Sequence, residues 1–303
     1  MLKSSSLKEN KLIGFVGIGE MGRPLARNVL KAGFRVVAYD IRREAVGAIE
    51  KEGAMNASSV AELAKSADVI ITMLPRSSAV KEVVLRMLTV LGEGKTVIEM
   101  STIDPRTTMT LAKKVRSTGA TLLDCPVGGT PDMAENRDAE ILVSGDKSSI
   151  DDCKEILDSM AKNVVIVGGE PGKGKAMKLA VNSLIAMNRL ALTESVCFAL
   201  MQGIDAHIAL EVIGGSNANS VVFQRYGKAV IDEDGERIAK KHSWSLKDLG
   251  LAVDAGMRAS AGFPITNLSL EITKEASNEF SGAENFQSIV KHYKKMIANA
   301  NVA

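Results

Sequence analysis

The sequence predicts an α/β fold: an N-terminal doubly wound sheet over residues 1–170, followed by an all-α C-terminal domain over residues 171–303. Three observations point there. At roughly 150 residues per domain, 303 residues make two domains. In the first half, short apolar runs alternate with helical patterns. Several of the runs are rich in Val and Ile and apolar on both faces, as parallel strands covered by helices must be. After Gly168-Gly169-Glu170-Pro171-Gly172 the strand-like runs stop.

In order, the expected strands are Leu12–Gly17, Arg35–Tyr39, Val69–Leu74, Thr96–Met100, Thr121–Cys125, Ile141–Ser144 and Val164–Val167. Between them the 3.6-residue pattern predicts helices over Met21–Ala32, Arg42–Glu52, Ser58–Ser66, Ser77–Met87, Pro105–Thr118 and Ser148–Met160, with Asp104 capping the helix that Pro105 opens. Beyond the boundary the reading is helical: Lys175–Gln202, Asp205–Ile213, Ser220–Asp232, Lys247–Ala261, Pro264–Asn278 and Phe286–Asn299. The polar stretch Met1–Lys11 reads as a frayed tail, without the apolar core of a signal peptide. Ala176–Met201 is the most apolar stretch, but Lys178, Asn182, Arg189 and Glu194 interrupt it, so it reads as a buried helix of a soluble protein.

Composition narrows the function classes. Lys+Arg at 38 against Asp+Glu at 36 leaves +2, no field that would recruit nucleic acid or an anionic membrane. With 7 Phe, 3 Tyr and 1 Trp, all scattered, there is no base-stacking platform. Cys125, Cys153 and Cys197 form neither a disulfide framework nor a metal-ligand spacing, which fits a reducing, cytoplasmic setting. His207, His242 and His292 are dispersed and read as surface or cap residues. No metal site is expected.

Gly17-Ile18-Gly19-Glu20-Met21-Gly22 is a Gly-x-Gly-x-x-Gly triplet that follows a strand and opens a helix. The next strand ends at Asp40, 23 residues after Gly17, close to the spacing of a ribose-binding carboxylate. The physical roles are consistent: a tight turn at Gly17, close approach of a pyrophosphate at Gly19, helix–strand packing at Gly22, and free N–H groups with a positive dipole end facing the phosphates. A carboxylate accepts from both ribose hydroxyls of NAD and repels a 2′-phosphate, so NAD is the expected cofactor. Arg42 and Arg43 keep NADP as the alternative, since arginines just past the strand bind that phosphate; equally, they are solvent-facing charges that start a helix.

From this point the chain resembles the β-hydroxyacid dehydrogenase family, over about Leu12 to Met296. Gly14 through Asp40 is similar to the family's fingerprint. Met73-Leu74-Pro75 resembles its adenosine-ribose loop and Ser101-Thr102-Ile103 its segment near the nicotinamide. Asp124-Cys125-Pro126-Val127-Gly128-Gly129-Thr130 resembles its substrate segment, Gly172-x-Gly174-x-x-x-Lys178-x-x-x-Asn182 its catalytic segment, and Lys247-Asp248-Leu249 a late motif whose lysine approaches the cofactor. The resemblance implies a Rossmann-type cofactor domain, a helical domain for substrate and oligomerisation (homodimer or homotetramer), and an active site in the cleft. It also implies reversible oxidation of a 3-hydroxyacid, 3-hydroxyisobutyrate-like, without metal. The cofactor contacts it implies are Gly17, Gly19, Glu20, Met21, Gly22, Asp40, Leu74, Pro75, Thr102 and Lys247. The substrate contacts are Gly128, Gly129, Thr130, Lys178 and Asn182.

The chemistry stands on its own terms as well. Removing a hydride from an alcohol carbon needs a group that takes the hydroxyl proton and donors that hold the oxygen. Lys178 and Asn182, four residues apart on a helix, point the same way. Desolvation, with a positive nicotinamide and Lys247 nearby, is expected to lower the lysine's pKa. Plainer readings stay open: Lys178 as a cap of glycine-loop carbonyls, Asn182 as a buried structural amide, Lys247 as a solvated lysine, Asp248 as its orienting partner or a helix cap. Ser101 and Thr102 are equally readable as helix caps, and Cys125 as a spectator thiol.

Two departures bear on the substrate. Gly128-Gly129-Thr130 stands where the family has Ser-Gly-Gly, and Arg137-Asp138-Ala139 where it has a small Gly-Thr-Leu turn. A glycine pair still forms an anion-binding nest, with the Thr130 hydroxyl as a substitute donor; Arg225 is readable as a second anchor or, more plainly, as a surface charge. The competing functions are an imine or enamine reductase on the same fold, against which Lys178 counts, and a noncatalytic NAD(H) sensor.

Overall fold

Strands apolar on both faces have to be covered on both faces, and the sheet follows from that. The computed structural model describes residues 11–231, 245–280 and 286–300. The Met1–Lys11 tail apart from Lys11, and His242, lie outside the described residues. Two compact units divide within one long helix, Met1–Lys178 and Leu179–Ala303.

The first unit alternates β1 (Leu12–Val16), α1 (Gly22–Lys31), β2 (Arg35–Tyr39), α2 (Arg43–Glu50), β3 (Met55–Asn56), α3 (Val60–Ser66), β4 (Val69–Thr72) and α4 (Ser77–Met87). It continues through β5 (Thr96–Glu99), α5 (Pro105–Arg116), β6 (Thr121–Asp124), β7 (Val127–Gly128), α6 (Pro131–Glu135), β8 (Glu140–Ser144), α7 (Lys147–Met160) and β9 (Asn163–Gly168). The sheet order is β3-β2-β1-β4-β5-β6-β8-β7, with β9 on β8. The strands from β3 to β6 are all parallel, whereas β8 runs antiparallel to β6 and β7. The order reverses between β1 and β4, the topological switch point where such sheets bind ligands at the carboxyl ends of their strands.

Alternate residues of each strand feed opposite cores. Ile13, Phe15, Val69, Ile71, Ile98 and Leu123 pack on one face, and Val16, Ile70, Val97 and Leu122 on the other. Asp104 accepts from the Arg106 amide with Pro105 in the first turn, so α5 starts where its sequence signal lies. The sequence reading missed β3, β7 and α6; it ran β1, β4, β5 and β6 one or two residues long and left β8 and β9 one or two residues short.

The second unit takes the remainder of α8 (Lys173–Met201), then α9 (Ala206–Gly215), α10 (Val221–Ile231), α11 (Ser245–Arg258), α12 (Pro264–Glu279) and α13 (Phe286–Ala300). Asp205 caps α9 through the amides of His207 and Ile208. The unit's largest core joins Leu192 and Val196 to Tyr226, Val230, Phe286 and Val290. Inside it the buried Arg189 guanidinium lies 4.2 Å from the Tyr226 ring centre and donates to its hydroxyl. By length and composition alone α8 is long and apolar enough to cross a membrane, a description that core helices also meet.

Candidate active site

The glycine turn after β1 is forced by backbone proximity. Gly17 has φ +98, and a Cβ there would collide with the Met73 carbonyl; a Cβ at Gly22 would collide with the carbonyl of Gly17. Only glycine lets α1 start this close to the sheet. At Gly19 a Cβ would meet nothing nearer than the Arg42 guanidinium, 3.6 Å away, so this side of the loop is open. No side-chain cap bonds the N terminus of α1 among the described residues, and no acid lies in its first turn. Open backbone, uncapped amides and a positive dipole end suit a pyrophosphate.

Asp40 follows β2 beside this turn. Its Oδ2 accepts from the Ile18 amide at 2.8 Å, and its Oδ1 from the Arg42 amide at 2.9 Å and the Arg42 Nε at 3.2 Å. Burial pushes the carboxyl up, but the Arg42 and Ile18 bonds outweigh it and hold Asp40 below the usual carboxylate range. Oδ1 is filled by two donors, while Oδ2 keeps one lone pair in reserve, enough for one ribose hydroxyl. Arg42 leans back on Asp40; Arg43 is exposed at the start of α2.

At the carboxyl ends of β4 to β6 the structure brings together groups that the sequence reading treated apart, and adds one it missed. Ser101, expected near the nicotinamide or as a cap, accepts the Leu74 amide on its Oγ at 2.8 Å, and its own amide donates to Glu99 Oε1 at 2.9 Å. Half-buried Thr102 and exposed Pro75 flank this tie. Behind it Lys175, fully buried, reaches Glu99 Oε2 at 2.8 Å, Asp124 Oδ1 at 2.7 Å and the Glu99 carbonyl at 2.8 Å. Burial depresses the Lys175 ammonium, but Asp124 and Glu99 outweigh it and the pKa is raised. Asp124 Oδ2 also accepts from Gly172 N at 2.7 Å, Lys175 N at 3.1 Å and the Ser144 hydroxyl at 3.0 Å. A Cβ at Gly174 would stand 2.9 Å from the Leu142 carbonyl oxygen and 3.0 Å from that of Asp124, which explains the second glycine of the Gly-x-Gly turn. The sequence shows acids ending two apolar strands, but nothing sets Lys175 apart from Lys173 and Lys178 in the same helix start.

The Gly128–Thr130 segment lies at the edge of the antiparallel part of the sheet. Gly129 takes φ +129, a conformation side chains resist. Gly128 pairs with Glu140 across β7 and β8, and a Cβ at Gly128 would lie 3.9 Å from Glu140 Oε2. Thr130 Oγ1 caps α6, accepting from Met133 N at 3.4 Å. Arg137 turns left-handed at φ 61, with its guanidinium donating to the Asp158 carbonyl at 2.8 Å.

On α8, Lys178 is 7% exposed and Asn182, one turn on, 4%. In the second unit Asn182 Nδ2 donates to Asp248 Oδ2 at 2.6 Å. Asp248, in the first turn of α11, stands 3.5 Å from the Lys247 Nζ through its other oxygen. The acid thus orients the amide as well as the lysine, a link the sequence reading did not make. Arg225 is exposed, with its guanidinium 5.8 Å from the Tyr226 ring centre. Cys125 is fully buried, and burial first, then Asp124, pushes its thiol well up, so it is a poor nucleophile. No group of three or more His, Cys, Asp or Glu side chains suited to a metal occurs among the described residues.

Two family models cover most of the chain. The NAD-binding domain of 6-phosphogluconate dehydrogenase matches residues 12–169, and the NAD-binding domain of NADP-dependent 3-hydroxyisobutyrate dehydrogenase matches residues 172–293. The chain is 28% identical over 291 residues to 2-(hydroxymethyl)glutarate dehydrogenase of Eubacterium barkeri, covering 94% of this chain and 95% of that one. It is 30% identical over 293 residues to the mitochondrial 3-hydroxyisobutyrate dehydrogenase of Drosophila melanogaster, covering 94% and 90%. The solved 3-hydroxyisobutyrate dehydrogenase of Mycobacterium tuberculosis with L-serine superposes with a TM-score of 0.87 at 26% identity, covering 93% of this chain and 98% of that one.

Proposed function

The chain belongs to the β-hydroxyacid dehydrogenase family, and from that premise we propose that it transfers a hydride between NAD and a small 3-hydroxyacid, 3-hydroxyisobutyrate-like, giving the semialdehyde or keto acid. Lys178 carries the reading. It is a nearly buried lysine one turn before a nearly buried amide, on a helix whose first turn is bonded into the strand ends of a dinucleotide-binding sheet. Bound NAD supplies the hydride acceptor. Lys178 Nζ takes the hydroxyl proton in oxidation and returns it in reduction. Asn182, with one N–H held by Asp248, turns its other N–H to the reacting oxygen and fixes it.

In this proposal the amides of Gly19, Glu20, Met21 and Gly22 receive the pyrophosphate and Asp40 Oδ2 a ribose hydroxyl, with Gly17 making the turn. Leu74, Pro75, Thr102 and Lys247 complete the cofactor contacts, the last on its motif alone. Arg42, already bonded to Asp40, favours NAD over NADP. The amides around Gly128, Gly129 and Thr130 hold the substrate carboxylate. Residues 1–170 form the cofactor domain and 171–303 the substrate and oligomerisation domain. The protein is a homodimer or homotetramer in the cytoplasm, a setting that its free buried cysteines fit.

The test is NADH formation at 340 nm with a panel of small 3-hydroxyacids, the matching uncharged alcohols, and cyclic amines. Turnover confined to the acids is the expected result. Equal turnover of the uncharged alcohols removes carboxylate recognition. Amine oxidation without alcohol oxidation replaces the reading with imine reduction.

A further inference from the structure

We propose that Lys175 is a positioning residue for Lys178: the buried polar chain from Leu74 through Ser101, Glu99, Lys175 and Asp124 to Ser144 sets the rotation and height of the first turns of α8, and so where the Lys178 amine stands. The inference rests on the reading of Lys178 as the proton-transfer group.

The Lys175 ammonium donates to the Glu99 carbonyl at 2.8 Å and stands in ion-pair contact with Glu99 Oε2 at 2.8 Å and Asp124 Oδ1 at 2.7 Å. The acceptors come from the last residues of β5 and β6, neighbouring parallel strands, so the ammonium straddles both. The backbone of the same turn is gripped separately, through Gly172 N and Lys175 N on Asp124 Oδ2 and Gly174 N on the Ser144 hydroxyl at 2.9 Å. The helix is thereby fixed along its axis by its amides and in rotation by its side chain. Lys178, three residues on, shares that side of the helix.

Stability alone is a poor reason for this arrangement. A buried ion cluster loses hydration that an apolar side chain of similar size would not, and such replacements are often neutral or stabilising. The cluster instead provides direction. It also reaches the loop after β4, because Ser101 holds the Leu74 amide while Glu99 holds the Ser101 amide. One continuous set of bonds therefore indexes two proposed cofactor segments and the start of the catalytic helix to the same strand ends. Misplacing a reacting group by about 1 Å costs about 10²-fold in rate.

The experiment compares wild type with Glu99→Gln/Lys175→Met and with Ser144→Ala. The double variant removes one formal charge of each sign, so the buried site keeps its net charge. Ser144→Ala trims the far end of the chain by one hydroxyl and serves if the double variant does not fold. Turnover per NADH-binding site, NADH affinity by fluorescence titration, and the isotope effect on kcat with substrate deuterated at the oxidised carbon are measured with the best acid from the panel. The expected result is kcat lowered about 10–100-fold in the double variant and several-fold in Ser144→Ala. Because Glu99→Gln keeps a side-chain oxygen for the Ser101 amide, NADH affinity should stay within about twofold of wild type, and the isotope effect should rise as hydride transfer becomes limiting. Unchanged kcat and isotope effect per binding site, with only the melting temperature lowered, overturns positioning and leaves a structural cluster. Lys178→Ala is run alongside. If it turns over like wild type, the acid–base reading falls and this inference with it; if it is dead while both network variants are normal, positioning alone falls.

Discussion

Asp40 has most of its bonding capacity committed before any cofactor arrives. With Oδ1 filled by Arg42 and Oδ2 half filled by Ile18, it has room for one ribose hydroxyl and none for a 2′-phosphate. The expected outcome is a higher kcat/KM with NAD than with NADP on one accepted substrate; preference for NADP would mean that Arg42 leaves Asp40 to bind the phosphate. The same bonds set a pH dependence. Since the folded pKa of Asp40 lies below its unfolded one, its contribution to stability is present above the ordinary carboxylate range and is lost as pH falls through the folded value. Asp40→Asn should therefore flatten the acid limb of the unfolding curve of the cofactor-free protein, measured by denaturant titration between about pH 2 and 6. Thr130 carries two separable effects. Thr130→Val should cost about 0.5–1 kcal/mol of stability from the lost cap. It should also cost about 1.5–3 kcal/mol in kcat/KM if its hydroxyl bonds the substrate carboxylate. Stability loss with unchanged kcat/KM confines Thr130 to the cap. Glu140, facing Gly128, places a negative charge beside the same segment, and Glu140→Gln is expected to raise kcat/KM for acids.

At the scale of elements, what was readable in the sequence was what is local. Val/Ile runs buried on both faces, a glycine triplet between strand and helix, and Asp104-Pro105 each carry their reason within a few residues. β3 and β7, at two residues each, are too short to show alternation, and α6 is a single turn and a half held by its Thr130 cap. The Lys175 cluster was illegible for another reason: its bonds join residues 76 and 51 positions apart, and nothing in either segment names its partner. The same holds for Asn182 and Asp248, 66 positions apart. The Gly172-x-Gly174 turn was readable as a motif, but its cause, the approach of α8 to β6 and β8, appears only in three dimensions. That cause predicts that Gly174→Ala, whose Cβ would press on the carbonyls of Leu142 and Asp124, lowers stability by about 1–3 kcal/mol in thermal unfolding. An unchanged melting temperature would show that the turn has slack.

At the scale of the whole molecule, both units leave large apolar side chains exposed, and the second leaves more of them among the described residues. The second carries large exposed apolar side chains, among them Phe198 at 63%, Val212 at 65% and Ile265 at 67%. Where such side chains are contiguous they mark interaction sites, and the proposed homo-oligomer gives these a use. Phe198→Asp is expected to shift the mass measured by light scattering toward the monomer; an unchanged mass places the contact elsewhere. Proton transfer in the proposed reaction turns on one amine. The most direct measurement is the kcat of Lys178→Ala against wild type with the best 3-hydroxyacid, with NAD affinity titrated on the same samples. A fall of about 10²–10⁴-fold in kcat at near-constant NAD affinity is the predicted result. Wild-type turnover without the Lys178 amine would contradict it.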